Sequence, residues 1–149
     1  MIMKLTLELP EEQAFVRVGR VVGRTLLTQI GANTQDIDEI ELVVGELCSN
    51  VVRHAHSTEQ RFQVTLEYYD DRLVVSVVDQ GEGFSRSTVA PAGTDRPDFN
   101  GGERIGGYGL HLVEALSHRL EFIPTDTTGT TVRAEMRLHK APQLSPATA

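Results

Sequence analysis

At 149 residues the chain has the length of one domain, long enough to bury a core of its own. Hydrophobic residues make up 40% and charged residues 23%, the balance of a globular protein and unlike that of a disordered one. A formal net charge of −7 argues against direct nucleic-acid binding, which needs a basic face, yet leaves a nucleotide site open.

The chain opens Met1-Ile2-Met3-Lys4-Leu5, without the basic region and apolar stretch of a signal peptide. Leu5, Leu7 and Leu9 then alternate with Thr6 and Glu8, which reads as a first strand over Lys4 to Leu9. Pro10-Glu11-Glu12 reads as a helix start, with proline in the first turn and acids complementing the dipole. Phe15, Val18, Val22, Leu26 and Ile30 supply an apolar stripe at helical spacing, and Gly31 a stop. A second helix is expected from about Thr34 to Ala55, with its stripe on Ile37, Ile40, Val44, Leu47 and Val51. It carries Cys48, the only cysteine, so one chain forms neither a disulfide nor a cysteine-rich metal site.

From Arg61 the period becomes two. Phe62, Val64, Leu66 and Tyr68 share a face, Asp70-Asp71 reads as a hairpin turn, and the return strand is Leu73 to Asp79. Gln80 to Gly106 has no sustained period and is rich in Gly, Pro, Ser, Thr and Asp, the composition of a lid. A third helix is expected around Gly109 to His118. Two strands follow near Leu120–Ile123 and Thr130–Leu138, and residues 140–149 read as a disordered tail after a domain spanning 1–139. No apolar run approaches the roughly 20 residues of a spanning helix, so a cytoplasmic protein without a membrane contact is expected. In the last strand Thr130, Val132, Ala134, Met136 and Leu138 oppose Thr131, Arg133, Glu135 and Arg137. One apolar and one charged face imply helices on one side only, hence an α/β two-layer sandwich.

Four segments carry chemistry. Glu46, Asn50 and Arg53 stand at i, i+4 and i+7 of the second helix, within about 40° of one another at the border of the apolar stripe. An Asn amide oxygen suits Mg²⁺, and a carboxylate one turn away can accept a proton from an attacking hydroxyl. Asp79 ends the ladder Leu73, Val75, Val77, where a buried carboxylate must accept hydrogen bonds, either from an adenine amine or from backbone N–H groups. Gly81 and Gly83 let the backbone after it turn sharply against a base or ribose. Gly101-Gly102-Glu103-Arg104-Ile105-Gly106-Gly107-Tyr108-Gly109-Leu110 runs into a helix whose first N–H groups suit a triphosphate. It is not a P-loop, since no Gly-Lys-Ser/Thr follows. Thr130 points its hydroxyl to the core side, toward either a base edge or nearby backbone.

In this order, Glu46-Leu47-Cys48-Ser49-Asn50, Asp79-Gln80-Gly81-Glu82-Gly83, Gly107-Tyr108-Gly109-Leu110 and Gly129-Thr130 resemble the motifs of the GHKL ATPases. Within that superfamily the chain is most similar to the anti-sigma-factor serine/threonine kinases of the RsbW and SpoIIAB type. The resemblance implies a Bergerat fold, with a mixed, mostly antiparallel sheet and helices on one face. It implies ATP and Mg²⁺, phosphorylation of an anti-anti-sigma (STAS-domain) protein, sequestration of a sigma factor, and a homodimer. Carried over by position, Glu46 is the general base, Asn50 the Mg²⁺ ligand and Asp79 the adenine reader. Gly81, Gly83, Gly107 and Gly109, with Tyr108 and Leu110 between and after them, shape the pocket and lid. Thr130 supports the base and Arg53 lies near the phosphates. Arg104 is the candidate lid cation, with Arg86 and Arg96 in the same segment. Two other readings remain: a binding switch that uses ATP without catalysis, and the detached ATP-binding domain of a histidine kinase. The single N-terminal helix contains no histidine, which weighs against the last.

Overall fold

The computed structural model describes residues 1–54, 59–79, 108–125 and 129–139. Its elements run β1 (Met3–Pro10), α1 (Gln13–Gln29), α2 (Thr34–His54), β2 (Arg61–Tyr69), β3 (Arg72–Asp79), α3 (Tyr108–Leu116), β4 (Arg119–Pro124) and β5 (Thr130–Arg137). The five strands form one sheet in the order β1-β2-β3-β5-β4, and every neighbouring pair is antiparallel. The α/β sandwich expected from the last strand is the fold observed. Apolar side chains of β2, β3 and β5 meet those of α1, α2 and α3 in one core.

Strand alternation explains the layering. Phe62, Val64 and Leu66 of β2, Leu73, Val75 and Val77 of β3, and Val132, Ala134 and Met136 of β5 are all buried. The opposite face carries ion pairs between strands, among them Lys4 with Glu67 at 3.5 Å and Arg72 with Glu135 at 3.7 Å. Val74 lies on that face between Glu67 and Glu135 and is nevertheless buried.

The helix α2 is the centre of the helical layer. Ile37, Ile40, Val44, Leu47 and Val51 are buried as their spacing predicts, joined by Val43 and Cys48. Asn33 caps its start, accepting the Asp36 N–H on its side-chain oxygen at 2.8 Å. Buried Asp36 in turn accepts the His139 backbone N–H, and its other oxygen lies 3.1 Å from the His139 ring Nδ1. The end of the described chain is thereby fastened to the α2 N-terminus, a tie across 103 residues that no local pattern announces.

Two expectations for the N-terminal segment are corrected. Pro10 is the last residue of β1, paired with Arg61, and α1 begins at Gln13 with no acid in its first turn. Proline is tolerated there because β1 is an edge strand and the end position asks for no ladder N–H. The buried side of α1 is Val16, Gly19, Gly23 and Leu27, whereas Val18 is exposed and Phe15, Val22, Leu26 and Ile30 are half-buried. The glycines explain the rotation. A Cβ on Gly19 would lie 3.4 Å from the Cys48 Sγ, and one on Gly23 would lie 3.6 Å from a Val44 methyl. The backbone of α1 therefore approaches α2 closely along a strip that an apolar count passes over. Gly31 does end this segment, with φ +74.

Candidate functional site

The residues singled out on α2 fall along a gradient from core to solvent. Asn50 is buried at 2% exposure, Glu46 is half-buried and Arg53 is exposed. Their shared helical phase is thus observed, and it places an amide deepest and a guanidinium outermost. The Asn50 side-chain Nδ2 has no hydrogen-bond partner among the described residues. An orphaned buried donor costs about 1–3 kcal/mol, so its persistence here points to a ligand or water oxygen that completes it.

Glu46 meets the first turn of α3. A Cβ built on Gly109 would overlap the Glu46 Oε2 and lie 2.9 Å from its Cδ. The carboxylate therefore rests directly against helix backbone, in space that any other residue at position 109 would fill. Leu110 and Val113, both buried, dock the same helix on the core. Leu110, assigned by resemblance to the pocket motif, lies in the core at the start of α3.

Asp79 closes the buried ladder of β3 with none of its surface exposed. Its Oδ2 accepts the backbone N–H of Thr130 at 3.1 Å, so the end of β3 and the start of β5 are held together. A buried carboxylate is stable only with such donors. Backbone N–H, one of the two kinds of donor open to Asp79 on sequence grounds, is thus among its partners. The described link to Thr130 also runs through backbone, and the Thr130 side chain is half-buried.

Gly81, Gly83, Arg86, Arg96, Arg104 and Gly107 lie outside the described residues, as does the expected lid, and of Tyr108 only the backbone is described, as the first residue of α3. The tail 140–149 lies outside as well. Among the described residues no group of three or more His, Cys, Asp or Glu side chains is arranged to hold a metal. A preformed all-protein cage is therefore absent there. A cation held by one amide and by phosphate oxygens needs none, and Mg²⁺ commonly keeps waters and substrate phosphates as its other ligands. No described helix is long and apolar enough to cross a membrane.

The fold thus joins a sheet with helices on one face to a buried Asn one turn from a carboxylate and a buried Asp ending β3. The histidine kinase-like ATPase domain model matches residues 9–136, and the chain belongs to that family, in its GHKL anti-sigma kinase branch. The serine-protein kinase RsbW of Listeria monocytogenes serovar 1/2a is 34% identical over 121 residues, covering 76% of this chain and 74% of that protein. The RsbW of Halalkalibacterium halodurans is 30% identical, covering 78% of this chain and 74% of its own length. A crystal structure of the RsbU and RsbW domains of a Mycobacterium tuberculosis protein superposes with a TM-score of 0.68 at 23% identity. That match covers 93% of this chain, which spans 33% of the solved chain, and it bears on the fold alone.

Proposed function

We propose that the chain is an ATP- and Mg²⁺-dependent serine/threonine protein kinase that phosphorylates an anti-anti-sigma protein of the STAS type and sequesters a sigma factor. The observation that carries this reading is the buried Asn50 amide, its Nδ2 without a partner among the described residues, one helical turn from the Glu46 carboxylate. Relatives named serine-protein kinase at 30–34% identity support the activity.

The Asn50 amide suits both halves of a metal–phosphate pair, with oxygen toward the cation and Nδ2 toward a phosphate oxygen. When bound, Mg²⁺ supplies charge neutralisation on the phosphates. Asp79 presents a carboxylate at the end of β3 whose remaining acceptor capacity suits the exocyclic amine of adenine. In the transfer, the acceptor hydroxyl oxygen bonds to the γ-phosphorus, the bond to the ADP oxygen breaks, and the hydroxyl proton passes to Glu46. Arg53 is close in sequence and helical phase to Asn50 and supplies positive charge at the solvent side. Gly81, Gly83 and Gly107 shape the pocket and Arg104 stabilises the transferring group, with the protein acting in the cytoplasm as a homodimer. Among the described strands β1 is at an edge of the sheet, a position suited to association.

Labelled ATP incubated with a STAS-domain protein from the same genome tests the reading. Transfer to a serine or threonine by wild type, lost in Glu46→Ala while nucleotide binding persists, supports it. Nucleotide binding and sigma-factor capture without any transfer would establish a non-catalytic switch instead.

A further inference from the structure

The contact between Glu46 and Gly109 gives that glycine a role separate from shaping a nucleotide pocket. We infer that Gly109 is a positioning residue for the Glu46 carboxylate, the α3 backbone forming the wall against which the base is set. The inference rests on the kinase reading of Glu46.

Three observations carry it. First, the space is specific: a Cβ at position 109 would overlap Oε2 and sit 2.9 Å from Cδ and 3.6 Å from Cγ of Glu46. Second, the wall is fixed. Leu110 at 5% exposure and Val113 at 0% anchor α3 in the core, so its first turn is not free to retreat from α2. Third, no described residue donates a hydrogen bond to Glu46 or forms an ion pair with it. With no partner among the described residues to hold the carboxylate, the shape of its surroundings sets its position. A base must lie within hydrogen-bond reach of the proton it takes, and a displacement of about 1 Å is enough to impair that.

The neighbouring glycines show that this contact is particular. Cβ atoms on Gly19 and Gly23 would make ordinary van der Waals contacts, and one on Gly45 would meet the side chain of Arg20, at 2.9 Å from its Cδ. Only at Gly109, among these, does the missing side chain admit a carboxylate.

The obstructing atoms are the far end of a flexible side chain, not backbone. A methyl at position 109 is accommodated by swinging Glu46 aside, so Gly109→Ala folds. The experiment measures steady-state transfer from Mg·ATP to a STAS-domain acceptor for wild type, Gly109→Ala, Glu46→Gln and the double variant. Calorimetric titration with Mg·ADP and thermal melting accompany each. The expected result is a kcat for Gly109→Ala lowered on the order of a hundredfold, with KM for ATP, ADP affinity and melting temperature within about twofold or a few degrees of wild type. The double variant should be no slower than Glu46→Gln, because both changes remove the same interaction. An unchanged kcat, a loss confined to nucleotide affinity, or additive losses would overturn the positioning role and leave the kinase reading standing. Transfer undiminished in Glu46→Gln, or absent in wild type, would overturn the kinase reading and this inference with it.

Discussion

The Asp79 carboxylate, wholly buried, accepts the backbone N–H of Thr130 at 3.1 Å and so ties the last residue of β3 to the first of β5. The same group is the one proposed to read adenine, which gives it a structural and a binding role that substitution can separate. Asp79→Asn keeps a carbonyl acceptor for Thr130 but presents fewer lone pairs to a base. Its stability is expected to fall by about 1 kcal/mol or less, and its ATP affinity by about tenfold or more. Asp79→Ala leaves the Thr130 N–H without that acceptor and should cost about 1–3 kcal/mol of stability as well. Urea denaturation and calorimetric ATP titration on both variants read the two effects. Equal ATP affinity in wild type and Asp79→Asn would confine Asp79 to the structural role.

The start of α2 is held by two side chains in series. Asn33 caps the Asp36 N–H, and Asp36 accepts from His139. Asn33→Ala is expected to cost about 1 kcal/mol, the usual value of a lost N-cap. Asp36→Ala should cost more, about 1–3 kcal/mol, because it removes a buried carboxylate that accepts the His139 N–H and also meets its ring. His139→Ala keeps the backbone donor and removes only an exposed ring, so its cost should stay below about 1 kcal/mol. The order of the three midpoints in urea checks this.

Much of the framework was legible because its signals are periodic. The α2 stripe and the alternations of β2, β3 and β5 each bury the residues their spacing selects, from Ile37 to Val51 and from Phe62 to Met136. The α1 face was misread for a physical reason. Gly19 and Gly23 add nothing to a hydrophobic count, yet they form the buried strip because close approach needs small residues. In the site, helical phase grouped Glu46 with Asn50, and alternation buried Asp79. Their partners were not legible. Gly109 touches Glu46 across 63 positions and Thr130 meets Asp79 across 51, distances over which a single sequence carries no pairing signal.

The same glycine strip makes a prediction with opposite signs. A methyl on Gly23 would stand 3.6 Å from Val44 and 4.0 Å from Leu66, ordinary contact in a helix interior. Gly23→Ala should therefore stabilise by about 0.5–1 kcal/mol through reduced chain entropy and better helix propensity. Gly23→Leu should destabilise by about 1–3 kcal/mol, since the α1–α2 gap has no room for the extra atoms. Destabilisation by the alanine would show that α1 packs on α2 more closely than described.

Cys48 supplies a pH dependence. Burial in the core raises its thiol from an ordinary 9.0 to about 12, because the thiolate would lose its hydration there. Below pH 9 the thiol is protonated in folded and unfolded chains alike, and its contribution to stability is constant. Between pH 9 and 12 the unfolded chain releases the proton while the folded chain keeps it, so the unfolded state binds fewer protons and stability falls as pH rises. The expected slope is about 1.4 kcal/mol per pH unit from this group. Cys48→Ala lacks the group, so the difference in urea stability between wild type and variant should narrow or invert from pH 9 to 11. Ellman's reagent at pH 8 should label the thiol only at the rate at which the core opens, and urea should accelerate labelling in step with unfolding. Parallel pH profiles for the two proteins, or rapid native labelling, would place Cys48 in contact with water.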